Sequence, residues 1–148
     1  QDLARADTGQ LNRWELEITG QTGALVALED TPGVNVPDND PAGIERTLNS
    51  TVSGKVREVD VSVDITHTFI GDLVVTLVAP SGKSVTLHNR SGGSADNLIK
   101  TYTPATSSQL GTLRGETAQG AWKLKVSDHE AADVGKLNRW AMKIVKEP

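Results

Sequence analysis

The chain contains no cysteine. A disulfide framework, a zinc ribbon and a thiol nucleophile are therefore excluded. Aromatic residues are almost as scarce: Trp14, Phe69, Tyr102, Trp122 and Trp140 are the whole set in 148 residues. Valine and leucine must build most of any core. No run of about 18 apolar residues occurs, so no transmembrane helix can be read. Positive charge is not in excess either. A net charge of −4 and a pI near 5.3 argue against nucleic acid or an anionic membrane as partner, since both select a basic face. No signal peptide opens the sequence, which begins inside a repeated motif, as a processed or cut fragment would.

What is present points to strands. A chain of this length can bury roughly 70% of its unfolded surface around one core. Fourteen glycines and six prolines, with frequent threonine and serine, favour short strands and turns over helices. RWELEIT (13–19) alternates apolar and charged residues, the period of a half-buried strand. VREVDVSVDIT (56–66) does so along its length, with a slip between Val56 and Val59 that marks a bulge. DLVVTLVAP and KSVTLHN around the PSG turn make a hairpin over 72–89, and LIKTYT (98–103) is a further strand candidate. GAWKLKVSD (120–128) and RWAMKIV (139–145) place Trp122 and Trp140 in phase with the apolar residues that follow them, so both are expected in the core. EDTPGVNVPDNDPAGIE (29–45) reads as an irregular connector, and residues 105–117, the best helical candidate, carry Gly111 and Gly115. The class is all-β, a sandwich or jelly roll.

One octet is written twice. DTGQLNRW (7–14) returns as DVGKLNRW (133–140), and residues 2–18 align without a gap to 128–144 with nine identities in seventeen positions. The spacing of 126 residues fits a domain plus linker. Residues 1–19 are therefore expected to be the closing strand of a preceding domain copy, residues 20–35 a linker, and 36–148 the domain itself. The strand at 14–19 would expose Trp14, Leu16 and Ile18 unless it docks on a sheet edge of its own chain or of a neighbour, by strand exchange or dimerisation.

Catalytic signals are weak. His67, His88 and His129 are the histidines, and no G-x-S-x-G elbow is present. His67 and Asp72 have the spacing of a base and an acid, but the plainer reading has His67, Thr68 and Asp72 closing a turn between strands. Gly135 is read as a turn residue beside Asp133, and His88 as facing solvent. Calcium, which takes oxygen ligands from loops, is the more serious candidate. Asp96 beside a Gly-Gly pair, and Asp128 with Asp133 in the SDHEAAD loop, are the proposed ligands. An exposed, sugar-stacking Trp122–Trp140 pair is the alternative to a core role. The sequons at Asn49 and Asn89 are given no function.

VDITHTFIGDLVVTLVAPSGKSVTLHNRSGGSADN (63–97), GAWKLKVSD and ADVGKLNRWAMKI (132–144) together resemble the P domain (P/Homo B domain) of proprotein convertases and bacterial subtilisin-like serine proteases. VPDNDPAG (36–43) resembles the entry segment of its bacterial members. The resemblance implies a jelly-roll-like β-sandwich of eight or nine mostly antiparallel strands, without catalysis of its own. Such a domain follows a catalytic protease domain of the same polypeptide, which it stabilises or helps to fold. The other roles the resemblance implies are tuning of pH or calcium dependence, or contact with protein substrates. A secreted or cell-surface bacterial protein is implied. One departure is visible: Ile70 stands before Gly71-Asp72 where many members carry arginine. The rival reading is a free-standing binding module for carbohydrate or a cell-surface protein.

Overall fold

The long alternating stretch becomes strand β4, Val56–His67, in a computed structural model that describes residues 24–148. Its apolar residues point one way: Val59, Val61, Val63 and Ile65 are buried, with polar partners between them half-exposed or exposed. Burying each such side chain is worth about 1.5–3 kcal/mol, so one strand of this pattern commits a whole sheet face to the core. The expected bulge is present. Pairing of β4 with the last strand shifts register between Val56 and Glu58, which lets both Val56 and Val59 face inward.

Around β4 lie eight more strands among the described residues: β1 (Leu25–Asp30), β2 (Val34–Val36), β3 (Asp40–Ser50), β5 (Leu73–Val78), β6 (Ser84–Asn89), β7 (Leu98–Tyr102), β8 (Gly120–Asp128) and β9 (Gly135–Lys146). They form two antiparallel sheets. One runs β1-β9-β4-β7, with β2 also on β9, and the other β3-β8-β5-β6. The β5–β6 hairpin and β7 stand where the sequence placed them. Trp122 on β8 and Trp140 on β9 are fully buried in the core between the sheets, with Leu124, Val126, Met142 and Ile144 in phase. A sugar-stacking pair at the surface is thereby overturned. Residues 105–117 hold only a 3-10 turn, Ser108–Leu113, whose Leu110 and Leu113 join the core.

Two expectations for the N-terminal part differ from the structure. The expected linker, 20–35, contains β1 and β2, both paired antiparallel with β9, from Leu25 opposite Val145 to Val36 opposite Gly135. Thr31-Pro32-Gly33 is the turn between them, with Gly33 at φ +56°. The supposed connector 29–45 also runs into β3, which pairs with β8 through a register shift between Asp40 and Ile44. Pro41 and Gly43 sit inside that irregularity. A Cβ on Gly43 would lie 2.1 Å from the Val126 carbonyl oxygen. Proline and glycine read as a loop because a bulge needs the same residues. The repeat copy 1–19, its strand 14–19 and that strand's docking lie outside the described residues.

Candidate functional site

At one end of the sandwich β4, β8 and β9 meet in a polar corner. His67, the last residue of β4, is fully buried and its Nε2 lies 3.0 Å from Asp128 Oδ2 at the end of β8. Its other ring nitrogen, Nδ1, accepts the Phe69 backbone N–H at 3.1 Å. An imidazole nitrogen that accepts carries no proton, so the proton sits on Nε2 and is donated to Asp128. Asp128 uses its second oxygen, Oδ1, to accept the Glu130 N–H at 3.1 Å. The backbone of His67 is clamped by Asn97, whose Oδ1 accepts the His67 N–H and whose N–H donates to the His67 carbonyl.

The remaining corner residues lock the loop before β9. Thr68 Oγ1 donates to Asp133 Oδ1 at 2.5 Å, and Ala132, at φ +88°, donates its N–H to Asp38 Oδ2. Gly135 is not the turn residue the sequence suggested, for it opens strand β9. Its lack of a side chain serves a different end. A Cβ there would fall 2.5 Å from His67 Cδ2. The strained turn position belongs to Ala132 instead.

Asp72 does not bond His67, so the base-and-acid spacing of the two has no counterpart in the structure. It accepts the His129 N–H with its backbone carbonyl, while its carboxyl makes no hydrogen bond among the described residues. That carboxyl is buried, and burial pushes its pKa up; the charges of Asp128, Asp133 and Glu130 push the same way. The folded pKa thus lies above the unfolded value of about 3.9. Ionised Asp72 lowers stability at neutral pH, and the loss fades as pH falls through the folded pKa towards the unfolded one. Asp72→Asn is therefore expected to raise the melting temperature at pH 7, with the gain shrinking to nothing below about pH 3.9. Thermal scans of both proteins across that range check it. An equal gain at every pH would remove the charge as its cause.

His88 also differs from expectation. It is buried, and Nε2 bonds the Ile70 carbonyl oxygen at 2.9 Å. The β5–β6 register shifts between Val75 and Thr76, so Leu87 and His88 both turn inward and strict alternation misplaces the second. Ile70 is buried too, with its N–H on Ala95 O, so no exposed side chain stands where many P domains have arginine. A Ser–His contact that sequence reasoning passed over joins Ser127 Oγ to His129 Nε2 at 2.9 Å. Ser127 is buried, and no carboxylate among the described residues bonds the other nitrogen of His129, so the arrangement lacks the third member of a triad.

Calcium fits this corner poorly. Both oxygens of Asp128 are engaged within the protein, and Asp133 is held by Thr68. Asp96 is exposed and bonds neither of them. Among the described residues, no group of three or more candidate ligands is arranged to hold a metal ion.

Residues 56–144 match the model of the proprotein convertase P-domain family. The chain belongs to that family. It is 47% identical over 116 residues to leupeptin-inactivating enzyme 1 of Streptomyces exfoliatus, covering 77% of this chain and 25% of that protein. It is 40% identical over 106 residues to the calcium-dependent protease of Trichormus variabilis, covering 70% of this chain and 16% of the relative. A transglutaminase-activating metalloprotease of Streptomyces mobaraensis is 35% identical over 131 residues, 88% of this chain and 16% of the relative. The P domain thus spans a quarter or less of these relatives. Among solved structures, the Aeromonas sobria serine protease in complex with its chaperone ORF2 superposes with a TM-score of 0.63 at 20% identity, over 86% of this chain and 28% of that one. This last likeness concerns the fold alone.

Proposed function

We propose that this P domain is a non-catalytic accessory module of an exported bacterial subtilisin-like serine protease, whose catalytic domain it stabilises or helps to fold. The observation that carries the reading is the family match over 56–144, in relatives most of whose length lies outside the matched segment. The corner supports it, because both nitrogens of the buried His67 are occupied and its role is to tie three strands together. The metalloprotease among the relatives keeps a second reading in view, with a different catalytic domain attached to the same kind of sandwich.

The test is a comparison of the parent protease with and without this domain, and of the domain alone. Deletion is expected to shorten the half-life of proteolytic activity on warming or to abolish recovery of folded enzyme. The isolated domain is expected to leave casein uncleaved. Cleavage by the domain alone, or a deletion without effect on half-life or folding, would overturn the proposal. Inhibition of the parent by a serine-directed covalent reagent such as phenylmethylsulfonyl fluoride separates a serine from a metallo-catalytic partner.

Calcium dependence is named for two relatives. We place any such dependence of the parent enzyme outside Asp96, Asp128 and Asp133. The melting temperature of this chain is accordingly expected to be the same in excess EGTA and in millimolar calcium. A chelator-induced fall that Asp128→Asn or Asp133→Asn abolished would overturn that placement.

A further inference from the structure

The backbone bonds around β4 fix which groups of its outer neighbour, β7, face open space. His67 donates its N–H to Asn97 Oδ1 and accepts the Asn97 N–H on its carbonyl, so its backbone faces the β7 side. Backbone direction alternates along a strand, and Ile65, Val63 and Val61 therefore face β7 as well. Their partners there are Leu98, Lys100 and Tyr102. Ile99 and Thr101, opposite Asp64 and Ser62, then turn their N–H and C=O groups away from the sheet. The other side of the sheet agrees. Asp64 and Ser62 face Arg139 and Ala141 on β9, which leaves Trp140, Met142, Ile144 and Lys146 to face β1. Lys146 does donate its N–H to the Ala24 carbonyl. Among the described residues, nothing bonds the four outward groups of Ile99 and Thr101.

Open edges attract other strands, and proteins usually block them. On β6 the Thr86 N–H is taken by Gln109 Oε1 at 3.3 Å, and just past β7 the Thr103 N–H is taken by Thr106 Oγ1 at 2.9 Å. The edge of β7 keeps its groups free, and beside them the Ile99 side chain is 68% exposed. Its one charge is Lys100, set at a position whose cross-strand partner, Val63, is buried. The Lys100 ammonium lies 5.0 Å from the centre of the Tyr102 ring. A lysine set inward on an edge deters uncharged strands. A second β7 laid antiparallel and centred on Lys100 would put lysine opposite lysine, and like charges across a strand pair are destabilising. A carboxylate at the same place is attracted instead. β1, at the opposite edge of the sheet, carries Glu29 and Asp30 and no basic residue, so it offers an acidic strand no such partner.

We propose that β7 is a strand-addition site for an extended acidic segment of another polypeptide, with a carboxylate opposite Lys100 and an apolar side chain opposite Ile99. Main-chain bonds to Ile99 and Thr101 hold the segment, and Lys100 selects it. The described chain enters the sandwich at β1 and leaves it from β9, on the side of the sheet away from β7. The site is thus clear of that path. The inference needs no catalytic domain and stands apart from the accessory role.

The probe is an acetylated, amidated heptapeptide, Thr-Thr-Val-Glu-Val-Thr-Thr, which reads the same in both directions and so fits either strand polarity. Added to the full chain, it is expected to slow amide exchange at Ile99 and Thr101, followed by NMR, and to leave Lys100, already bonded to β4, unchanged. Lysine in place of the peptide's glutamate is expected to weaken binding about fivefold, the upper end for one cross-strand charge pair. Lys100→Glu, at an exposed position, is expected to keep the fold and to reverse the order of the two peptides. Equal binding of the two peptides to the unmodified chain, protection centred on β1, or no binding at millimolar peptide would overturn the proposal. In the last case Lys100 is a guard alone. Slow exchange of both amides without peptide would overturn it too, since the edge would then be occupied already.

Discussion

Replacing His67 with alanine is expected to cost the domain about 3–5 kcal/mol, the range measured when one partner is removed from a buried pair. Whole domains of this kind are stable by only about 5–15 kcal/mol, so the variant should stand near the edge of folding. Asp128 is the reason. It is fully buried at the end of β8, and without the imidazole its Oδ2 would keep no donor. The Phe69 N–H would lose its acceptor as well. Urea unfolding followed by tryptophan emission measures the loss, with Trp122 and Trp140 reporting from the core. A second substitution shows that the corner acts as a unit. Gly135→Ala alone drives a methyl group against the His67 ring, whose Cδ2 would be 2.5 Å away. With His67 already alanine, that clash largely disappears and the glycine substitution should cost much less, leaving the Thr66 carbonyl oxygen at 3.2 Å as the remaining tight neighbour. Contacting residues couple in this way, and distant ones do not. Additive losses would mean that Gly135 is required for some reason other than the ring.

The two-sheet architecture was legible in the sequence wherever alternation was strict. β4, the β5–β6 hairpin, β8 and β9 bury the residues their period selects, and even the slip at Val56 was readable. Legibility failed where a strand is held by its neighbour's backbone more than by its own side chains. β1 and β2 follow the outline of β9, and β3 absorbs Pro41 and Gly43 in a register shift. Local composition there signals a loop, and pairing overrides it. At the corner, residue types were found but not their partners. His67 and Asp128 are 61 positions apart and meet only because β4 and β8 end at the same pole of the sandwich. Nothing in the spacing of HTFIGD could have preferred Asp128 to Asp72. The clearest available signal was the repeat itself, which preserved Asp128, Asp133 and Gly135 together.

The two core tryptophans give the last test, since they are equally buried but not equally satisfied. Truncating either to alanine should cost about 3–5 kcal/mol, the usual range for emptying an aromatic site in a packed core. Phenylalanine separates them. Trp122 donates its Nε1–H to the Ala118 carbonyl at 3.0 Å, which fixes the end of the loop leading into β8. Trp122→Phe leaves that carbonyl without its donor, adding about 1–3 kcal/mol to the lost packing. Trp140 Nε1 is buried and has no partner among the described residues. Its desolvation is already a standing cost to the fold, so Trp140→Phe removes a liability together with some volume. The phenylalanine variant at 140 is therefore expected to be clearly the more stable of the two by urea unfolding. The reverse order would require a partner for the Trp140 N–H, and the inner face of β9, which the repeat copies at Trp14, would then carry a polar contact as well as an apolar one.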